Sequence, residues 1–180
     1  VAAIFRDVPS DSGLDVADAA AEAGRRAGTN AVLSLGGGSV LDTGKAVSLA
    51  MGLRTRAGGL TGMFHLAGGR RLPHTVVPTT AGTGSEATDV IVLRHERLGI
   101  KTFILDPLVT PDLAILDPLL TLTLPPLTTA ATGLDALTHA LEALASRKAN
   151  PIASAHALHA CRLIAANLPA AVRRGNEAPA

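Results

Sequence analysis

Tryptophan and tyrosine are absent, and phenylalanine occurs only three times. Sixteen Lys and Arg against fifteen Asp and Glu leave a formal net charge of +1. With neither aromatic platforms for bases nor an excess of positive charge, the chain lacks the footprint of a nucleic-acid binder. A single cysteine, Cys161, excludes an intramolecular disulfide and any Cys-rich zinc module, which fits a reducing, cytoplasmic setting. Long hydrophobic runs are missing as well. The longest apolar stretch, 109–134, is broken by Pro and Asp before it reaches membrane-spanning length, and residues 1–20 hold no signal-peptide core, so neither membrane nor export is indicated. An initiating Met is lacking too. The chain starts at Val1, residues 1–10 read as the end of a strand running into a loop, and the 180 residues are read as an internal fragment.

What is present is an Ala- and Leu-rich globular composition, 47% hydrophobic and 17% charged, long enough for one domain or for pieces of two. The spacing predicts an amphipathic helix over 14–27, a buried strand over 31–35, a helix over 40–51 and a strand over 74–77. That alternation of strand, loop and helix implies an α/β fold with a largely parallel sheet. The runs at 90–93 and 100–105, flanking a charged segment and Gly99, predict a β-hairpin. A last strand is expected over 113–116, after which the pattern turns helical, at 127–145 and 150–167, with Asn150 as N-cap and Pro151 in the first turn. A domain boundary therefore falls near 118, giving an α/β domain at 1–117 and the start of an all-helical domain at 118–180. The tail 173–180 is polar.

Three constellations carry chemistry. GGGSVLDTGK at 36–45 sits where a strand gives way to a helix, so unencumbered backbone amides face whatever lies above the helix N-terminus, and a phosphate is the natural occupant. The letters fail the dinucleotide fingerprint, because Leu41 stands where its third Gly belongs. They also fail the Walker A loop, because five residues separate Gly38 from Gly44 and Ala46 follows Lys45. The alternative is a plain tight turn with Asp42 and Lys45 as an exposed i,i+3 pair. A second loop, PTTAGTGSE at 78–86, again follows a strand and offers the hydroxyls of Thr79, Thr80, Thr83 and Ser85 to a ribose or pyrophosphate; taken alone it is equally a polar turn. Two such loops at strand ends are hard to dismiss together, since ligands of open α/β sheets bind there. The third constellation is on the first long helix. Asp135, His139 and Glu142 share a stripe at about 100° per residue, opposite Leu134, Leu137, Leu141 and Leu144. A carboxylate and an imidazole at i,i+4 can hold one divalent cation, with iron, zinc or nickel suited better than magnesium, although two ligands do not complete a site. The alternative is a solvated Asp-His pair. His156 and His159 share the side of Ile152 and Leu163 and read as packed residues, not ligands. Lys101, in the hairpin, reads either as a cofactor contact or as a lysine that blunts an edge strand. His65, His74 and His95 have no partners that the sequence identifies.

Taken in order, LGGGSVLDTGKA, VVPTTAGTGSEAT, Lys101, AILDP at 114–118, LP at 124–125 and TAATGLDALTHALEA at 129–143 closely resemble the iron-containing (group III) alcohol dehydrogenases over nearly the whole chain. The resemblance implies a Rossmann-like dinucleotide-binding domain followed by helices that hold a metal. It makes Gly37, Gly38 and Ser39 the pyrophosphate loop, Thr79, Thr80 and Thr83 the second cofactor loop, Lys101 a residue near the cofactor, and Asp135 and His139 two of the metal ligands. The family's other two ligands are histidines on later helices that this chain does not reach, and the first β-α unit is missing as well. The implied cofactors are NAD or NADP and Fe²⁺, alternatively Zn²⁺. The implied partners are a small alcohol or aldehyde and, for the full-length protein, further copies of itself. A related glycerol dehydrogenase or maleylacetate reductase, or a non-catalytic nucleotide-binding fragment, are the competing expectations.

Overall fold

The computed structural model describes residues 1–66 and 68–175, and the last five residues of the polar tail lie outside them. The chain forms two compact units, Val1–Pro78 with Ser85–Leu116, and Thr79–Gly84 with Asp117 onward.

The first unit opens without a strand. Residues 1–10 are irregular and mostly exposed, which corrects the strand expected there: none of them joins a ladder, and the first ladder contact is a bridge from Gly13 to Arg94. Helix α1 (Leu14–Arg26) buries Leu14, Ala17, Ala21 and Gly24, one face at helical spacing, and closes on Gly28 at φ 65. Strand β1 (Val32–Gly36) buries Ser34 and exposes Leu33 and Leu35. Helix α2 (Gly38–Gly52) is buried from Thr43 to Ala50. A two-residue strand, β2 (Gly62–Met63), precedes β3 (His74–Pro78), the hairpin β4 (Val90–His95) and β5 (Ile100–Leu105), and β6 (Leu113–Ala114). Two three-stranded sheets result. One has order β1-β3-β6 and is all parallel; the other has order β2-β5-β4, with β2 parallel and β4 antiparallel to β5. The fold is α/β and Rossmann-like with a mostly parallel sheet, as the alternation implies. The last strand is shorter than its apolar run: Leu113 and Ala114 pair, the Ile115 amide still donates to the Val76 carbonyl at 2.9 Å, and the chain then leaves the sheet for a turn capped by Asp117.

The core joins Leu14, Ala17 and Ala21 of α1, Ala46 and Leu49 of α2, Ile91 and Leu93 of β4, and Ile104 of β5. Loops are pinned by buried polar groups. Asp106 accepts from the amides of Leu66 (3.0 Å) and Leu108 (2.9 Å). Arg71 forks onto Asp112 and also donates to the carbonyls of Leu108 and Thr110, both at 2.7 Å.

The second unit is built on α3 (Pro126–Ala145) and α4 (Pro151–Arg174), joined by a five-residue link. Asn150 caps α4, its side chain accepting from the Ala153 amide at 2.9 Å. Gly133 early in α3 lies against Leu168 late in α4, so the helices run antiparallel; a Cβ on Gly133 would sit 2.3 Å from Leu168 Cδ1. No described helix is long and apolar enough to cross a membrane.

Candidate functional site

The first loop arises where β1 ends at Gly36 and α2 begins. Gly37 is the N-cap, with φ −78 and ψ −176 and no side-chain cap, and the amides of Val40 and Leu41 both turn back to its carbonyl. No acidic residue stands in the first turn, so the positive end of α2 is not offset by charge. The tight return needs glycine: a Cβ on Gly36 would lie 2.6 Å from Val40 Cγ2.

Ser39, in that first turn, accepts the Asp11 amide on its Oγ at 3.1 Å. Asp11 has a left-handed backbone, φ 56, and its carboxylate meets Lys101 Nζ at 2.8 Å. The Lys101 hydrogen bond holds the Asp11 carboxyl below the ordinary aspartate value. Asp11, which carried no signal in the sequence, thus connects two of the residues singled out there. Lys101 is exposed. It pairs with Arg94 across the hairpin, and β2 reaches only Ile104 and Leu105, so one edge of β5 is open at Lys101.

Pro78 ends β3 directly opposite Gly36 in the parallel ladder, so the second loop leaves the sheet at the same carboxyl end as the first. Thr79 and Thr80 are half-buried and Thr83 is exposed. Gly84, at φ 66, turns the chain into the short helical turn Ser85–Ala87. Gly82 is pressed on Thr132 of α3 within the second unit, where a Cβ would come 3.0 Å from the Thr132 carbonyl oxygen.

The expected alternative for Asp42 and Lys45, an exposed pair, is overturned. Lys45 retains 1% of its surface. Its ammonium donates to Thr88 O (3.0 Å), Thr88 Oγ1 (3.1 Å) and Val90 O (3.0 Å). Asp42 accepts from Ser85 Oγ and, at 2.8 Å, from the Val92 amide. Burial pushes the Asp42 carboxyl up and the Lys45 ammonium down. The only hint in the sequence was helical spacing, which does not say which face of a helix is covered by the rest of the fold.

On α3, His139 Nε2 lies 3.8 Å from Asp135 Oδ1, both about half exposed, one turn apart on one face. Glu142, further along, is also exposed. No cluster of three or more His, Cys, Asp or Glu able to hold a cation occurs among the described residues. The Asp135–His139 pair fits a divalent transition metal by donor type, as two points of a larger set. His156 and His159 are exposed, as are Ile152 and Leu163, so their expected packing is corrected: α4 buries the Ala157 face instead. His74 is fully buried, its Nε2 2.8 Å from Ser34 Oγ.

Residues 1–118 match the family model described as iron-containing alcohol dehydrogenase, and residues 129–180 match the C-terminal model of the Fe-containing alcohol dehydrogenase family. The chain is 38% identical over 179 residues to long-chain-alcohol dehydrogenase 1 of Geobacillus thermodenitrificans, covering 97% of this chain and 44% of that protein. A crystal structure of sulfoacetaldehyde reductase from Bifidobacterium kashiwanohense in complex with NAD+ superposes with TM-score 0.89 at 36% identity, over 96% of this chain and 46% of that one. A crystal structure of a 1,3-propanediol oxidoreductase superposes with TM-score 0.93 at 38% identity, over 97% and 46% respectively. The chain spans less than half the length of these relatives.

Proposed function

The chain belongs to the iron-containing alcohol dehydrogenase family, and on that premise we propose that it is part of a metal-dependent, NAD(P)-linked alcohol dehydrogenase, with residues 1–117 binding the dinucleotide and 118–180 contributing the first metal-binding helices. The observation that carries this reading is the register Gly36 opposite Pro78, which brings a glycine loop and a hydroxyl loop to one end of a parallel sheet.

In this reading the amides of Gly38 and Ser39 at the start of α2 hold the pyrophosphate, with Gly37 kept free of bulk for its approach. Thr79, Thr80 and Thr83 donate hydroxyls along the dinucleotide, and Lys101 releases Asp11 to place its ammonium beside it. Asp135 and His139 hold the divalent cation, iron or alternatively zinc. When bound, the cation supplies Lewis acidity toward the alcohol oxygen and the dinucleotide supplies the hydride acceptor. The chain's own work is binding and orientation. Aldehyde reduction is the same chemistry reversed, and the sulfoacetaldehyde reductase relative makes a short-chain aldehyde the second substrate reading.

The test is titration of NADH with and without Fe²⁺ or Zn²⁺, with turnover followed in parallel. The 180-residue chain is expected to bind NADH, to bind metal weakly and to turn over little or no alcohol, since a catalytic metal normally takes three or more protein ligands. Gly38→Glu is expected to abolish NADH binding, whereas His139→Ala removes the residual metal binding and leaves NADH binding intact. Absence of NADH binding by the wild-type chain, or undiminished NADH binding by Gly38→Glu, would overturn the reading.

A further inference from the structure

Asp42 and Lys45 take no part in the site just described, yet Lys45 is buried, Asp42 is largely covered and both are engaged. An ammonium has three N–H donors, and here three oxygens, two on Thr88 and one on Val90, receive them. The two carboxylate oxygens of Asp42 are shared between Ser85 Oγ and the Val92 amide, with Lys45 Nζ 3.8 Å away. Every outside partner of the pair lies in 85–92, the segment that begins one residue after Gly84. Replacing a buried ion pair by apolar residues is often neutral, whereas removing one partner leaves an uncompensated charge.

We infer that Asp42 and Lys45 are positioning residues for nucleotide binding, which fasten the root of the hydroxyl loop, Ser85–Thr88, to the helix whose N-terminus forms the glycine loop. The inference rests on the dinucleotide reading above. Its logic is preorganisation: a ligand that engages both loops binds tightly only if the loops are already placed, whereas a ligand held by the helix N-terminus alone is indifferent to the second loop. The same two side chains also close the outer edge of β4. Val90 O and Val92 N point to α2, and two residues further on the Arg94 amide donates to Ser12 O at 2.9 Å. If edge closure were their whole role, their loss would lower stability without sorting ligands.

The experiment measures Kd for NADH and for inorganic pyrophosphate with the wild-type chain, Asp42→Asn, Ser85→Ala and Lys45→Met, each checked for native helix content. Ser85→Ala removes one hydroxyl and no charge from the cluster, and keeps the test open if Lys45→Met does not fold. Asp42→Asn and Ser85→Ala are expected to weaken NADH about tenfold while pyrophosphate changes by less than about threefold. Amides of 79–88 should also exchange faster in both variants, with those of α1 unchanged. Equal losses for the two ligands, or no loss for NADH, would overturn the inference and leave the dinucleotide reading standing. A wild-type chain that binds no NADH would overturn that reading and this inference with it.

Discussion

At the residue scale the clearest consequence concerns His74. The imidazole is enclosed, and burial, with Arg71 and Lys45 nearby, lowers its pKa from 6.5 to about 4. In the unfolded chain it takes up its proton near 6.5, whereas the fold resists until about 4. Stability held above 6.5 is therefore lost as pH falls through that window, by up to about 3 kcal/mol. Asp42 acts in the opposite sense, because its folded pKa is raised. Melting temperature measured from pH 7 to 4 should fall, and His74→Gln should flatten the fall. Next to this pair, a Cβ on Gly44 would lie 1.8 Å from Ser34 Oγ and 2.9 Å from His74 Nε2. Gly44→Ala is expected to cost about 1 to 3 kcal/mol in urea unfolding, and less in a Ser34→Ala background, since the nearest obstructing atom is then gone. None of this was legible: Ser34 and His74 are 40 residues apart and meet only because β1 and β3 are parallel neighbours.

At the element scale, legibility followed periodicity. The helix α1, the hairpin and the capped start of α4 are read correctly, because each carries a pattern that its own residues impose: an apolar stripe, a Gly99 turn, or Asn150 before Pro151; α4 itself runs on to Arg174, past the end expected at 167. Asn150→Ala should lower stability by about 1 kcal/mol, with Asn150→Asp close to neutral, as read by urea unfolding followed by helical signal. The failures share a cause. The strand expected in residues 1–10 depended on a neighbouring strand being present, and an apolar run without a partner remains a loop. Packing of α3 on α4 was invisible for the same reason. Gly133 looks like a helix-weakening residue, and replacement by Ala would gain about 1 kcal/mol of propensity. Against Leu168 the added methyl has no room, so Gly133→Ala should destabilise, and shortening Leu168 to Ala in the same chain should recover part of the loss.

At the scale of the whole molecule, both loops of the candidate site were legible because their glycines and hydroxyls stand at strand ends, where chemistry is written in residue type. Their supports, Asp11 and the Asp42–Lys45 pair, were not, because burial and long-range pairing are not local properties. Burial also fixes what the chain leaves uncovered. Among the described residues strand β1 pairs only with β3, and it exposes Leu33 at 66% and Leu35 at 58% on the side away from Ser34. Leu113 and Ile115 are exposed near it, and on α3 the spacing of Leu127, Leu134 and Leu141 makes a second uncovered row. A free strand edge beside apolar side chains templates association. The 180-residue chain in solution should accordingly bind a hydrophobic dye and sediment faster as concentration rises. Leu33→Thr with Leu35→Thr keeps β-propensity while removing the apolar row, and should reduce both effects with stability altered by less than about 1 kcal/mol. Dye binding that persists in this double variant but disappears when Leu134 and Leu141 are made polar would assign the association to α3, and a marked loss of stability would mean that the β1 leucines belong to the core after all.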